Sequence, residues 1–207
     1  MGFYGDRIFP LVMNALMDNK EARRIRAEVC APLLGDVLEI GFGTGHNLPF
    51  LPVTVRSLKA VDPLLKGREL AAARLAASTV AVEFVGLDGQ RLALDDQSVD
   101  AALSTWTLCS IPDPAAAVRE IARVLRPGGK LHFVEHGRAR DPKVERWQRR
   151  LNGVQQRMAC GCSLTYDMAA VVGDGGMDIE QLDTFYAKGE PKSHGWTYQG
   201  VATPSPR

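Results

Sequence analysis

Residues Val37–Leu51 read VLEIGFGTGHNLPFL, and this stretch decides the fold. A short apolar run (Val37, Leu38, Ile40) leads through Glu39-x-Gly41-x-Gly43-x-Gly45 into a helix-like segment. A strand, a glycine-rich turn and a helix start bring bare backbone against a nucleoside-bearing cofactor. Dinucleotide sites favour G-x-G-x-x-G with the last glycine inside the helix; here the third glycine comes one residue early. The glycines have a mechanical purpose. Side chains cannot stand where backbone and ligand approach within contact distance, and some turn residues are expected at positive φ.

Working outward, 207 residues suit one domain with a sizeable core. Apolar residues make up 45% and charged residues 24%, which fits a globular chain. A formal net charge of +1 argues against nucleic acid as the main partner. The arginine-rich stretches 23–26 and 138–150 carry interspersed acids and read as solvated helix faces. No run approaches ~20 apolar residues, so no membrane span is expected. The N-terminal stretch lacks a signal peptide's basic start and long apolar core, and Asp6 departs from a myristoylation signal. Cys30, Cys109, Cys160 and Cys162 therefore read as reduced thiols of a cytoplasmic protein. Cys160-x-Cys162 is too close for ordinary zinc-ligand spacing, and no second pair completes a site.

Periodicity places helices over residues 1–34, broken near Asp18-Asn19. Strands are expected at Val37–Ile40, Leu58–Val61, Val82–Val85, Val99–Ser104 and Lys130–Glu135. Helices are expected at Lys66–Ala77 and Pro114–Leu125, with Arg126-Pro127-Gly128-Gly129 as a terminating turn. This alternation predicts an α/β fold with a doubly wound, mostly parallel sheet and helices on both faces. Two further strands are expected at Asp178–Tyr186 and Gly195–Ala202. The chain divides into a helical leader (1–34), a cofactor-binding core (35–136), a helical and irregular acceptor-side region (137–177) and C-terminal strands (178–202). The leader either lids the cleft, through Phe3 and Tyr4, or merely covers apolar surface.

In open parallel sheets the ligand lies beyond the carboxyl ends of the strands. Asp62-Pro63 ends the second strand, 21 residues after Gly41. A carboxylate there can accept both ribose hydroxyls. Asp88-Gly89 follows the third strand, Thr105–Leu108 the fourth and Glu135-His136 the fifth.

Taken together these elements resemble the class I S-adenosylmethionine (SAM) methyltransferases over most of residues 37–135. The glycine turn is similar to that family's motif I, and VGLDGQRLALDDQSVD to its G-D-A-E-x-L-P-F-x-D-x-S-F-D pattern. The resemblance implies SAM as cofactor, a seven-stranded sheet and a final antiparallel strand pair. It also implies Glu39 near the methionine amino group, Asp62 at the ribose, and Asp88 and the Gly89 N–H at the adenine. Asn47, Pro63, Thr105 and Leu108 would contact the cofactor, and Trp106 would line the adenine pocket, the acceptor pocket or the core.

A narrower resemblance lies in LEIGFGTGHNLPFLP, STWTLCSIPD, LRPGGKLHFVEH and CGCSLTYD. These look like the methyltransferase-like 7 group of thiol methyltransferases, through Asn47, Leu108-Cys109-Ser110, Glu135-His136 and Gly161-Cys162-x-Leu164-Thr165. The group's animal members carry a membrane anchor, which is not carried over. A small-molecule thiol is thus the favoured acceptor, with a hydroxyl, an amine or a quinone-like lipid as the rival. A nicotinamide-dependent oxidoreductase or an idle SAM-binding module stands further off. Methyl transfer from a sulfonium needs the nucleophile about 3 Å from the methyl carbon and water excluded. His136 is the candidate general base or a strand-end histidine; Glu135 orients it or caps a neighbouring group. Cys109 and Cys162 read as packing residues, since direct transfer needs no covalent enzyme intermediate. No metal is expected.

Overall fold

The computed structural model describes residues 4–206. A helical segment, Tyr4–Ile8, runs into α1 (Phe9–Leu16), and α2 spans Lys20–Cys30. The break falls at Asp18-Asn19 for a physical reason. Asn19 adopts extended backbone, and its side chain accepts from the Ala22 N–H at 2.9 Å, capping α2.

From there strands and helices alternate. The elements are β1 (Gly35–Ile40), β2 (Val55–Val61), α3 (Leu65–Leu70), α4 (Ala72–Ala77) and β3 (Ala81–Gly86). They continue with β4 (Val99–Thr105), α5 (Pro114–Val124), β5 (Leu125–His136), α6 (Pro142–Met158) and α7 (Met168–Asp174). The chain closes with β6 (Met177–Tyr186), the short α8 (Lys192–Gly195) and β7 (Trp196–Pro204). The sheet has seven strands in the order β3-β2-β1-β4-β5-β7-β6. Pairings are parallel from β3 through β5, whereas β7 runs antiparallel to both β5 and β6. The strand order reverses between β1 and β4, so their carboxyl ends flank the crevice where a ligand belongs.

Alternation along the strands divides the core into two layers. Leu38, Ile40, Ala102, Leu131 and Phe133 face α5 and α7, packing with Val118, Ile121, Met168 and Val172. Val37, Leu58, Ala101, Leu103 and Val134 face the other way, against Ile25, Val29 and Cys30 of α2. Both faces of the central strands are covered, as parallel sheets require. Each fully buried side chain such as Ile121 contributes about 1.5–3 kcal/mol by leaving water.

One expected turn proves to be part of a strand. Leu125 pairs with Val99 and Lys130 with Ala101, so Arg126–Gly129 bulge out between two ladder positions. The bulge is anchored: Arg126 donates to Asp100 Oδ1 at 2.6 Å, and a side chain on Gly129 would meet the Asp100 carbonyl at 2.8 Å. Pro127-Gly128-Gly129 breaks helix, as expected, but β4 recruits the flanking residues into the sheet.

Candidate active site

A cavity of about 650 Å³ opens at the carboxyl ends of the parallel strands. Its first wall is the glycine turn. Gly41, Gly43 and Gly45 all have positive φ, at 79°, 56° and 75°. At Gly41 a Cβ would land on the Thr107 side chain, so only a bare backbone fits there. Helix α3 closes on the same turn: a Cβ on Gly67 would stand 2.6 Å from the Gly43 carbonyl. Gly41 and Gly43 line the cavity, whereas Gly45 packs behind it against Phe42, Leu48 and Ala71.

Asp62 lies in the cavity wall at the end of β2, with Pro63 beside it. Its Oδ2 accepts from the Gly43 N–H and its Oδ1 from the Leu64 N–H, both at 2.7 Å. These bonds lock the carboxylate to the turn while leaving each oxygen a further lone pair. Burial raises its pKa, and the two N–H donors offset part of that rise. Asp88 and Gly89 line the neighbouring stretch after β3. Asp88 is exposed and accepts from the Gln90 N–H at 2.9 Å, while Gly89 packs so close that a Cβ would come within 2.8 Å of Ile40.

Besides Gly45, three expected cofactor contacts lie outside the cavity wall. Glu39 is 1% exposed and sits under the glycine turn, not in the cavity wall. Its Oε1 accepts from Asn47 Nδ2 at 2.7 Å, and burial pushes its carboxyl up to about 8. Asn47 is equally buried and works as a hub, accepting from Arg26 Nη1 at 2.6 Å and donating to Thr105 Oγ1 at 3.0 Å. Leu108 is wholly buried in the core layer beneath, and only its N–H serves the site, by donating to Glu135. Glu39 precedes the turn, Asn47 follows it and Leu108 follows β4, and all three side chains are buried.

Sequence reasoning missed Arg26, which reaches the cavity from α2 and also donates to Thr105 Oγ1 at 3.0 Å. Burial lowers its pKa to about 10, and Glu39 acts in the opposite direction. The Arg26 guanidinium lies 4.9 Å from the centre of the Trp106 ring. His46 also lines the cavity, and burial, then Arg26 and Arg74, lower its pKa to about 4. Arg26 Nε and His46 Nε2 are buried donors or acceptors with no partner among the described residues. Such groups are costly unless satisfied. Nothing in the stretch IRAEVC (residues 25–30) signals this: the arginine sits on an amphipathic helix whose other arginines are exposed.

The other end is assembled from distant segments. Trp106 holds φ at 51°, a strained value for a bulky residue, and its ring lies 6.2 Å from that of His136. Tyr4 lines the cavity and donates to the Met158 carbonyl at 2.9 Å. Phe3 lies outside the described residues. His136 also lines the cavity, with Nδ1 3.8 Å from Cys162 Sγ and Nε2 3.8 Å from Glu190 Oε2. Burial opposes its charge, yet Cys162 and Glu190 raise its pKa to about 10. Cys162 is lowered to about 4, by hydrogen bonding with Cys109 and His136 and against burial. Each of the pair favours the charged form of the other, which draws the thiol down and the imidazole up.

Glu135 points beneath the floor. Its Oε1 accepts from Ser104 Oγ (2.7 Å), Thr107 N–H (3.1 Å) and Leu108 N–H (3.0 Å), and its Oε2 from Cys109 N–H (3.2 Å). It is a fully buried cap for the Leu108–Ser110 turn and takes no part in lining the cavity.

Residues 38–133 match the family profile described as a methyltransferase domain. The thiol S-methyltransferase TMT1B of Rattus norvegicus is 32% identical over 133 residues, covering 62% of this chain and 54% of that protein. The human thiol S-methyltransferase TMT1A is 33% identical with the same coverage. A demethylmenaquinone methyltransferase of Clavibacter sepedonicus is 32% identical over 117 residues, covering 56% of this chain and 47% of that protein. The chain spans about half the length of the curated relatives it matches.

Among solved structures, a chain from the complex of the Haloferax volcanii Trm112 methyltransferase activator and its putative methyltransferase superposes with a TM-score of 0.74. It is 17% identical, with 96% of this chain and 98% of that one covered. The [4+2]-cyclase SpnF superposes at 0.73 with 18% identity, covering 98% of this chain and 96% of that one, so the fold by itself does not name a reaction. The glycine turn, the strand order and the profile match agree, and residues 38–133 are similar to the methyltransferase domain of the class I SAM-dependent enzymes.

Proposed function

We propose that the chain transfers the methyl group of SAM to a small-molecule thiol by in-line displacement. One observation carries the choice of acceptor. The two carboxylates that line the cavity, Asp62 and Asp88, both lie at the nucleoside end. The opposite end is lined by Met13, Met158, Cys162 and His136. A hydroxyl acceptor needs a base to take its proton, whereas a thiol is already a few per cent thiolate at neutral pH. A sulfur-rich end without a carboxylate suits the thiol. The similarity to two thiol S-methyltransferases supports the same reading.

In this reading SAM supplies an electrophilic methyl carbon on its sulfonium. Gly41 and Gly43 give it backbone room, Asp62 takes the ribose hydroxyls, and Asp88 and the Gly89 N–H face the adenine. Thr105, bonded to Arg26 and Asn47, stiffens the floor; Arg26 offers its charge to the methionine carboxylate, with His46 beside it. Trp106 and Tyr4 border the acceptor. His136 and its neighbour Cys162 form the end wall rather than a base. A quinone-like acceptor is the second reading, favoured by the similarity to a demethylmenaquinone methyltransferase.

Calorimetric titration with S-adenosylhomocysteine, with NAD as control, tests the cofactor; micromolar binding of the first alone is expected. Turnover of small alkyl thiols is then compared with phenol, amine and quinol acceptors. Faster thiol methylation is expected; turnover confined to quinols would transfer the assignment to the second reading.

A further inference from the structure

The sulfur-rich end of the cavity holds a cluster that the methyl-transfer reading leaves unused. Cys109 Sγ and Cys162 Sγ lie 3.5 Å apart, and Cys162 Sγ lies 3.8 Å from His136 Nδ1. All three donor atoms fall within 4.8 Å of one another, and neither sulfur is in a disulfide. On a tetrahedral zinc ion, with Zn–S near ~2.3 Å and Zn–N near ~2.0 Å, neighbouring donors stand roughly 3.5–3.8 Å apart. Two edges of the cluster already have that length, and the third need shorten by no more than about 1 Å.

We infer that Cys109, Cys162 and His136 bind a zinc-class cation, with the fourth coordination position open to the cavity. The donor set decides the class of ion. Two thiolates and an imidazole suit zinc and disfavour magnesium and calcium, which take oxygen ligands. The direction of opening follows from burial. Cys162 and His136 line the cavity, and Cys109 closes the back as a fully buried residue. Three protein ligands and one open position is the pattern of a catalytic zinc rather than a structural one.

The surroundings hold the ligands in place. Ser163 N–H donates to the Cys109 carbonyl at 2.7 Å, tying one cysteine segment directly to the other. Gly161, at φ 108°, passes so close to Ser110 that a Cβ would stand 2.7 Å from its carbonyl oxygen. Glu135 fixes the Cys109 N–H from below. Glu190 lies 3.8 Å from His136 Nε2, on the side away from the cluster, where a metal-bound histidine usually meets a carboxylate. The spacing rule applied to the sequence missed this because the three ligands come from three separate segments. Cys160-x-Cys162 contributes only one of its sulfurs.

The consequence for chemistry rests on the thiol-acceptor reading; the metal site itself does not. A thiol entering the open position loses its proton to solvent as its sulfur binds the metal. That sulfur then takes the methyl carbon as the carbon–sulfur bond of the sulfonium breaks, the electron pair remaining on S-adenosylhomocysteine. The thioether product is a weaker ligand and leaves.

The test uses the full chain, purified under reductant, stripped with chelator and titrated with Co²⁺. One tightly bound ion with a thiolate-to-cobalt charge-transfer band is expected, displaced by Zn²⁺. Cys162→Ser should weaken uptake at least ~100-fold, and Cys30→Ala, on the opposite face of the sheet, should leave it within about twofold. Because Cys109 is wholly buried, X-ray absorption of the zinc-loaded parent gives a measurement free of folding effects; a shell of two sulfurs with nitrogen or oxygen is expected. No uptake, or a shell of oxygen and nitrogen alone, overturns the site. Thiol turnover that stays at full rate after stripping overturns the acceptor role while leaving the thiol reading standing; turnover lost on stripping and regained with Zn²⁺ supports both.

Discussion

The two ends of the cavity are built differently. The end we assign to the nucleoside is made of backbone: a turn at positive φ, two N–H groups on Asp62, and a helix packed so closely that Gly67 has no space for a side chain. The acceptor end is made of side chains that converge from α1, α6, the end of β5 and the Cys160–Cys162 turn. Backbone sites tolerate little and announce themselves through glycine. Side-chain sites vary freely and leave no local spacing. Variants at the first end should therefore abolish cofactor binding, and variants at the second should spare it.

The largest effect is expected at Gly41. An alanine there must hold φ near 79° and place its Cβ on Thr107. Strain and clash together should cost about 3 kcal/mol or more, seen as a lower urea midpoint, with S-adenosylhomocysteine affinity reduced by about 100-fold or beyond. Near-parental affinity would show that the turn has more room than its geometry implies. Asp62→Asn comes next. The amide can accept from one of the two N–H groups, and it loses the charge that strengthens bonds to ribose hydroxyls. A loss of about 1.5–3 kcal/mol in binding, read by calorimetry, is expected.

This division also explains what was legible. All seven strands follow from apolar alternation and turn residues in the sequence, their ends within a few residues, whereas the antiparallel ending came from the family resemblance. The exception, the Arg126–Gly129 bulge, depends on Asp100 across the sheet, which no local pattern reveals. That Gly41, Gly43, Asp62 and Asp88 line the cavity was readable because they lie at or just beyond strand ends. Glu39, Asn47 and Leu108 looked like ligand contacts, yet they turn into the interior. A motif places a residue in the chain but does not say which way its side chain points. Arg26 and the Cys109–Cys162–His136 cluster were illegible for the complementary reason, since their partners lie up to 79 residues away.

At the acceptor end Gly161→Ala sharpens the contrast. Its Cβ would push the Cys160–Cys162 turn away from Ser110, and with it Cys162 away from Cys109. Turnover should fall about tenfold, the price of a displacement of roughly an ångström near the reacting atoms, while S-adenosylhomocysteine affinity changes less than about threefold. A parallel loss of cofactor affinity would mean that the two ends are mechanically coupled.

The smallest effect on binding is expected at Glu39, although it belongs to the motif that identifies the family. Its carboxyl is buried and pushed up to about 8, so at neutral pH it carries a proton. Glutamine has the same shape, and where the acid presents an O–H the amide presents an N–H. Asn47 can still donate to the remaining oxygen. Glu39→Gln should thus leave S-adenosylhomocysteine affinity within about threefold, whereas a carboxylate in contact with the methionine amino group would make the loss at least tenfold. Stability carries the same information in its pH dependence. The native state keeps a proton that the unfolded chain releases between pH ~4.5 and 8, so this group's contribution to stability falls as pH rises through that window. Subtracting the urea stability of Glu39→Gln from that of the parent should give a difference that declines by up to a few kcal/mol from pH 5 to pH 8. A flat difference would place an ionised carboxylate under the turn, held by Arg26 through Asn47, and would restore Glu39 to the charged half of the site.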